Sequence, residues 1–112
     1  MDSNYELIVC IVNDGFSLDV MENARNAGAK GGTIINGRGT AKIEALKKYD
    51  LISVTPEKEI VLILVTDDIK DNVLHTLYKN VGLSTPGGGI AFTLPVSDAI
   101  GLSEFKPKNK EN

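Results

Sequence analysis

Two stretches constrain this chain more than any other: Tyr5-Glu-Leu-Ile-Val-Cys-Ile-Val12 and Glu59-Ile-Val-Leu-Ile-Leu-Val-Thr66. Both are dense in Ile, Val and Leu and apolar at nearly every position. Neither shows the alternation that leaves one side of a strand in water, so both read as central strands of a sheet covered on its two faces. A chain of 112 residues makes one domain. Its own helices can cover one face of such a sheet. The second face then needs another cover, and self-association around an axis supplies it.

The helices are signalled next. Ile69, Val73, Leu77 and Val81 recur every four residues, the clearest helical period in the sequence. Asp67-Asp68 are expected to cap that helix, with Asp68 and Asp71 forming a short-armed capping box, and Gly82 to end it. An earlier helix is expected to start with Ser17 as N-cap. It carries Asp19 and Glu22 near its positive end and a mixed stripe of Leu18, Met21, Ala24, Arg25 and Ala27, and it stops at Gly28. Thr33–Ile35 is the heart of a second strand, and Asn36-Gly37 is a turn signal. Residues 41–52 read as a loop with partial helix. Ile90–Val96 reads as a fourth strand that ends or reaches an edge at Pro95, which cannot donate a ladder hydrogen bond. The order strand-helix-strand-strand-helix-strand is the ferredoxin-like βαββαβ plan of an α+β protein: a four-stranded antiparallel sheet with two helices on one face. The domain is expected over residues 1–105, followed by a polar tail over 106–112.

Composition removes several classes of function. The formal net charge is -3 and arginine is scarce, so no basic face for nucleic acid is expected. The single cysteine, Cys10, lies inside the first apolar run and reads as a buried thiol. His75 has no second histidine to share a metal with, and no metal site is expected. No apolar run approaches the roughly 18 residues that span a bilayer, and no signal peptide is expected. A cytoplasmic protein without direct membrane insertion is the expectation.

Two glycine clusters carry the functional argument. One is Gly31-Gly-Thr-Ile-Ile-Asn-Gly-Arg-Gly39. The other is Ser84-Thr-Pro-Gly-Gly-Gly-Ile90. Without side chains, Gly87, Gly88 and Gly89 can turn consecutive N–H groups toward an anion, or they can simply form a tight turn. The stretch is neither a Walker A loop nor a dinucleotide-binding fingerprint, because the GK[ST] ending and the strand-to-helix context are both missing. Arg38, between Gly37 and Gly39, can reach a phosphate or carboxylate bidentately, or lie solvated on a turn. Thr33 offers a hydroxyl or serves only as a strand residue. Tyr49, in the long loop, is a partner anchor or pins the loop to the sheet. Asp14 with Asp19, or Asp68, offer acid–base groups without an evident nucleophile. Ser17, Ser53 and Ser84 lack a discernible histidine–acid arrangement.

Gly28-Ala-Lys-Gly-Gly-Thr33, Gly37-Arg-Gly39 before a long loop, and Gly87-Gly-Gly-Ile-Ala-Phe92 before the last strand together resemble the nitrogen-regulatory P-II signalling family. The resemblance covers roughly residues 5 to 103. It implies a homotrimer of ferredoxin-like subunits that binds ATP or ADP in clefts between subunits and contacts a target enzyme or membrane transporter through a long loop, here residues 40–57. Some members of that family also sense 2-oxoglutarate, and divergent relatives take a cyclic dinucleotide or bicarbonate. By the same resemblance Gly87 and Gly89 lie beside phosphates, Thr33 supports the adenine side, Gly37 and Gly39 open the long loop, and Phe92 is a core aromatic. The sequence departs from the family at charged positions. Ile90 stands where a lysine is usual, Thr40 where a basic residue follows the Gly-x-Gly, and Gly101 and Ser103 at or near a usual Arg-x-Arg pair. The expected function is therefore a divergent, non-enzymatic signal transducer that needs no cofactor, with an adenine nucleotide or another small anion as effector. A ligand-free scaffold domain and a small enzyme using Asp14 or Asp68 are the alternatives.

Overall fold

The computed structural model describes residues 4–40, 56–84 and 88–102. The chain runs β1 (Tyr5–Asn13), α1 (Ser17–Asn26), β2 (Thr33–Arg38), β3 (Glu57–Thr66), α2 (Asp67–Asn80) and β4 (Ile90–Val96). The strands form one antiparallel sheet in the order β2-β3-β1-β4, with both helices packed on one face. This is the ferredoxin-like plan, with the two most apolar strands at its centre. Pro95 sits on the edge strand β4, where its missing N–H breaks no ladder on the outer side.

Alternation along β1 and β3 sends Ile8, Cys10, Val12, Val61, Ile63 and Val65 toward the helices, where none is more than 2% exposed. They meet Val20, Met21 and Ala24 of α1 and Val73 and Leu77 of α2. Each fully buried Leu or Ile contributes about 1.5–3 kcal/mol of hydrophobic stabilisation. Cys10 is part of this core, and burial pushes its thiol up to about 11. It therefore stays protonated and behaves as a small hydrophobe.

Among the described residues, no helix lies on the opposite face of the sheet. By the same alternation it presents Leu7, Val9 and Ile11 of β1, Ile60, Leu62 and Leu64 of β3, Ile35 of β2, and Ile90, Phe92 and Leu94 of β4. Ile90, Leu94, Phe92 and Ile35 are 58, 48, 43 and 43% exposed. The second apolar face read from the sequence is there, and among the described residues its β4 side in particular lies exposed.

The helix ends correct three expectations. Phe16, not Ser17, is the N-cap of α1, and it gives no side-chain hydrogen bond; Ser17 is the first helical residue and is buried. The cap arrives from the neighbouring strand instead. Glu59 Oε1 accepts from the amides of Gly15 at 3.0 Å and Ser17 at 2.9 Å. A carboxylate held there meets the positive end of the helix and satisfies its free donors. On α2 the N-cap is Thr66, again without a side-chain bond; Asp67 and Asp68 lie inside the first turn and act only through the helix dipole. Asp71 pairs with Lys70 at 3.6 Å on the surface, so no capping box forms. Leu18 is 74% exposed, and Val20 occupies the buried stripe in its place.

The helix stops are as expected. Gly28 has φ +117°; its N–H donates to Arg25 O, and that of Ala29 to Ala24 O, closing a Schellman motif. Gly82 follows α2 with φ +83°. Asn36-Gly37 is not a turn. Both residues continue β2, paired with Glu59 and Lys58 of β3, and the ladder closes only at Gly39 N to Pro56 O, 2.7 Å. Once β3 begins at Glu57, its partners extend β2 past the turn-prone pair, and cross-strand pairing overrides local preference. The expected partial helix over 41–52, Ser53, Tyr49, Gly87, Ser103 and the proposed tail over 106–112 lie outside the described residues.

Candidate functional site

One row of residues crosses all four strands: Ile35, Ile60, Ile11 and Ile90. Stepping toward the end where β3 begins, the next rows hold Asn36, Glu59 and Val12, then Gly37, Lys58 and Asn13. Gly89 and Gly88 precede Ile90 at these same two levels. Gly37 and Gly88 therefore stand at one end of the sheet but on its two outer edges. Three strand spacings, about 14 Å, separate those edges. A single subunit does not bring the two clusters together.

Gly88 and Gly89 differ in what they do. A Cβ on Gly89 would lie 2.6 Å from the Ile11 carbonyl and 3.1 Å from Val12 Cγ1, and its φ is +118°. Gly89 is thus required by the packing of the loop onto β1. Gly89→Ala is expected to cost a few kcal/mol in chemical denaturation, from close contact and backbone strain together. Gly88 lines a cavity of about 200 Å³ with Asn13, Phe16, Val81 and Gly82. On the other edge, Asn36, Gly37, Arg38 and Glu57 line an open polar recess of about 390 Å³. Arg38 is exposed, stands opposite Glu57 in register, and its guanidinium has no partner among the described residues. Gly37 and Gly39 leave space that only Ile60 and the flexible Lys58 chain approach. Thr33 lies four residues from Gly37 along β2, about 13 Å away. It is exposed and shares a row with Leu62.

Sequence reasoning missed the residues that organise this end. Glu57, Lys58 and Glu59 each hold the β1–α1 turn. The Asp14 N–H donates to Glu57 O at 3.2 Å, Lys58 Nζ donates to Asn13 Oδ1 at 2.7 Å, and Glu59 takes the Gly15 and Ser17 amides. Hydrogen bonds from the Ser17 amide and hydroxyl, then from Gly15 and Phe16, hold the Glu59 carboxyl below the usual range against a smaller burial effect. The available signal was a run of charged residues opening an otherwise apolar strand. Asp14 and Asp68 are both exposed and lie at opposite ends of the sheet, so they share no site. His75 is exposed on α2, and no cluster able to hold a metal exists among the described residues. No described helix is long and apolar enough to cross a membrane.

No family model matches the chain. It is 30% identical over 94 residues to the nitrogen fixation nifHD region GlnB-like protein 1 of Methanothermococcus thermolithotrophicus, a match covering 84% of this chain and 90% of that protein. The chain belongs to the PII-like family. Its fold matches Arabidopsis thaliana PII bound to citrate with a TM-score of 0.68 at 26% identity, over 90% of this chain and 82% of that one. Two more distant structures match this PII-like chain in fold alone. The B. subtilis GlnK–ATP complex has a TM-score of 0.64 at 19% identity, over 89% and 88% of the two chains. A DUF3240 family protein from Shewanella baltica has 0.66 at 14%, over 91% and 100%.

Proposed function

We propose that this PII-like chain is a small-molecule-responsive regulator that works as a homotrimer. The apolar sheet face closes against its copies, and the effector sits in the seams between them. The observation that carries this reading is the placement of the two glycine clusters: same end of the sheet, opposite edges. Such an arrangement makes one site only where the β2 edge of one copy, with Gly37, Arg38 and Gly39, meets the loop of Gly87, Gly88 and Gly89 of the next, with Thr33 further along the same edge. The effector is a small anion, an adenine nucleotide such as ATP or ADP being the candidate. No chemical step is required of the protein. Its occupancy biases the loop 40–57, where Tyr49 is the anchor for a target enzyme or transporter. The domain accordingly spans residues 1–105, and a cytoplasmic setting suits such a regulator.

The experiment is a thermal-shift panel with adenine nucleotides, citrate, cyclic dinucleotide, 2-oxoglutarate and bicarbonate, run beside sedimentation velocity. A true effector stabilises the native state by mass action. A trimer with at least one stabilising ligand is the expected result. A trimer that no ligand shifts favours a scaffold domain, for which the structural demand at Gly89 already gives the glycine run a purely conformational use. A monomer refutes the seam. Gly88→Ala is the site probe, and Gly89 is not, since its replacement disturbs the fold itself.

A further inference from the structure

We infer that the assembled protein holds one tetrahedral oxyanion on its three-fold axis, gripped by Lys58 of all three copies. The site rests on the trimer proposed above, but it lies apart from the seams and has its own stoichiometry. Of the strand residues that alternation places on the face away from the helices, Lys58 alone is charged. Its neighbours Glu57 and Glu59 fall on the helix side, where Glu59 caps α1. Lys58 stands with Asn13 and Gly37 in the row next to Glu59, at the end of the apolar face. Its Nζ donates to Asn13 Oδ1 at 2.7 Å, which holds the ammonium over the two central strands instead of at an edge. That partner is neutral. Among the described residues no carboxylate lies within ion-pair range of Lys58, and the Asn13 NH2 group has no acceptor.

Closing three copies turns this single charge into a ring. At about 4.8 Å per strand, a four-stranded sheet is about 19 Å wide. Three such sheets joined edge to edge around an axis each stand about 5–6 Å from it, close to half the spacing of stacked sheets. The central strands come nearest the axis, so the three Lys58 ammonium groups meet at one mouth of the apolar core, within reach of lysine's flexible stem. Three like charges beside an apolar core repel one another, and charge there is costly unless it is paired. An anion on the axis relieves both. Three-fold symmetry selects its shape. A tetrahedral oxyanion aims three oxygens at three lysines and sends the fourth along the axis to solvent, and the Asn13 amides supply further donors. A site on the axis is shared, so it holds one ion per trimer, against three seam effectors.

Calorimetric titration of the full chain with inorganic phosphate tests this, at low ionic strength in a buffer free of other oxyanions, beside sedimentation velocity over a dilution series. One phosphate per three chains is expected, and phosphate should let the trimer survive about tenfold further dilution. Lys58→Met should lose about tenfold or more in phosphate affinity. Without phosphate its trimer should persist to lower concentration than wild type, because the repulsion is gone. Lys70→Met removes a cation elsewhere and should leave phosphate binding unchanged. One phosphate per chain puts the ion in the seams and overturns the inference while the trimer stands. A trimer that binds no phosphate overturns it too. If Lys58→Met then weakens that trimer, a carboxylate of the chain itself, Glu44 or Asp50 in the segment 41–55, supplies the counter-charge. A protein that is monomeric at every concentration has no axis and overturns this inference and the trimer together.

Discussion

The two faces of the sheet are made of the same kinds of apolar residue and live in different surroundings. On the helix side, Ile8, Val61 and Ile63 are fully buried, while on the other side Phe92, Leu94 and Ile90 are between 43 and 58% exposed. Apolar content alone does not distinguish them. The difference lies in what arrives from the rest of the chain: both crossover helices pack on one side, as short right-handed connections require, and none is left for the other. Monomeric proteins seldom leave a contiguous apolar face of this kind in water. One face stabilises the subunit, and the second is the one that the proposed trimer would close.

The sharpest way to test that division is to damage the two faces separately. Leu77 is fully buried between α2 and the sheet. Leu77→Ala removes that packing and is expected to cost about 2–5 kcal/mol in urea denaturation. A domain of this size has only about 5–15 kcal/mol in total. Phe92→Asp should do the opposite. It places a charge on the uncovered face, so the 12.0 kDa subunit should sediment as a monomer with its far-ultraviolet circular dichroism unchanged. The concentration dependence of its melting temperature should also disappear. If Phe92→Asp unfolds the chain while Leu77→Ala does not, the assignment of the two faces is reversed.

How much of this was legible depended on whether a residue's partner was near in sequence. The i, i+4 row from Ile69 to Val81 and the stops at Gly28 and Gly82 follow from local geometry, and all are found. Strand β4 falls on the residues expected for it, and the two central strands were visible in their lack of alternation. Two of the errors come from long-range partners. Ser17 reads as a cap, yet the cap is Glu59, 42 positions away. Asn36-Gly37 reads as a turn, yet pairing with β3 keeps it extended. The site behaves the same way. Both glycine clusters were conspicuous as sequence, but their places on opposite edges follow from strand order, which neither cluster encodes. The separate duties of Gly88 and Gly89 rest on the close approach of Gly89 to the Ile11 carbonyl and Val12 and on its positive φ.

Glu59 probes the boundary between the helix-covered face and the glycine end. Its carboxyl is held below its usual range by Ser17 first and then by Gly15 and Phe16. A group with a depressed folded-state pKa stabilises the fold above its unfolded value, about 4.3. That contribution disappears as pH falls through the lower folded value. Wild type should therefore exceed Glu59→Gln in melting temperature at pH 7, and the two should converge below pH 4. A constant difference across that range would mean that the effect of Glu59 is steric rather than ionic.

The smallest expected effect belongs to Leu18, which the sequence placed in the apolar stripe of α1 and the structure leaves 74% exposed. Both Leu and Gln are good helix formers, so Leu18→Gln isolates the contribution of burial from that of propensity. If α1 rests on Val20, Met21 and Ala24 alone, the change should stay within about 0.5 kcal/mol in urea denaturation, as surface substitutions do. Measuring it in the Phe92→Asp background removes any contribution from assembly. A loss there comparable to that of Leu77→Ala would place Leu18 in the core of the lone subunit. The helix-covered face would then extend beyond the outer flank of α1, and the contrast between the two faces would have to be redrawn around a wider core.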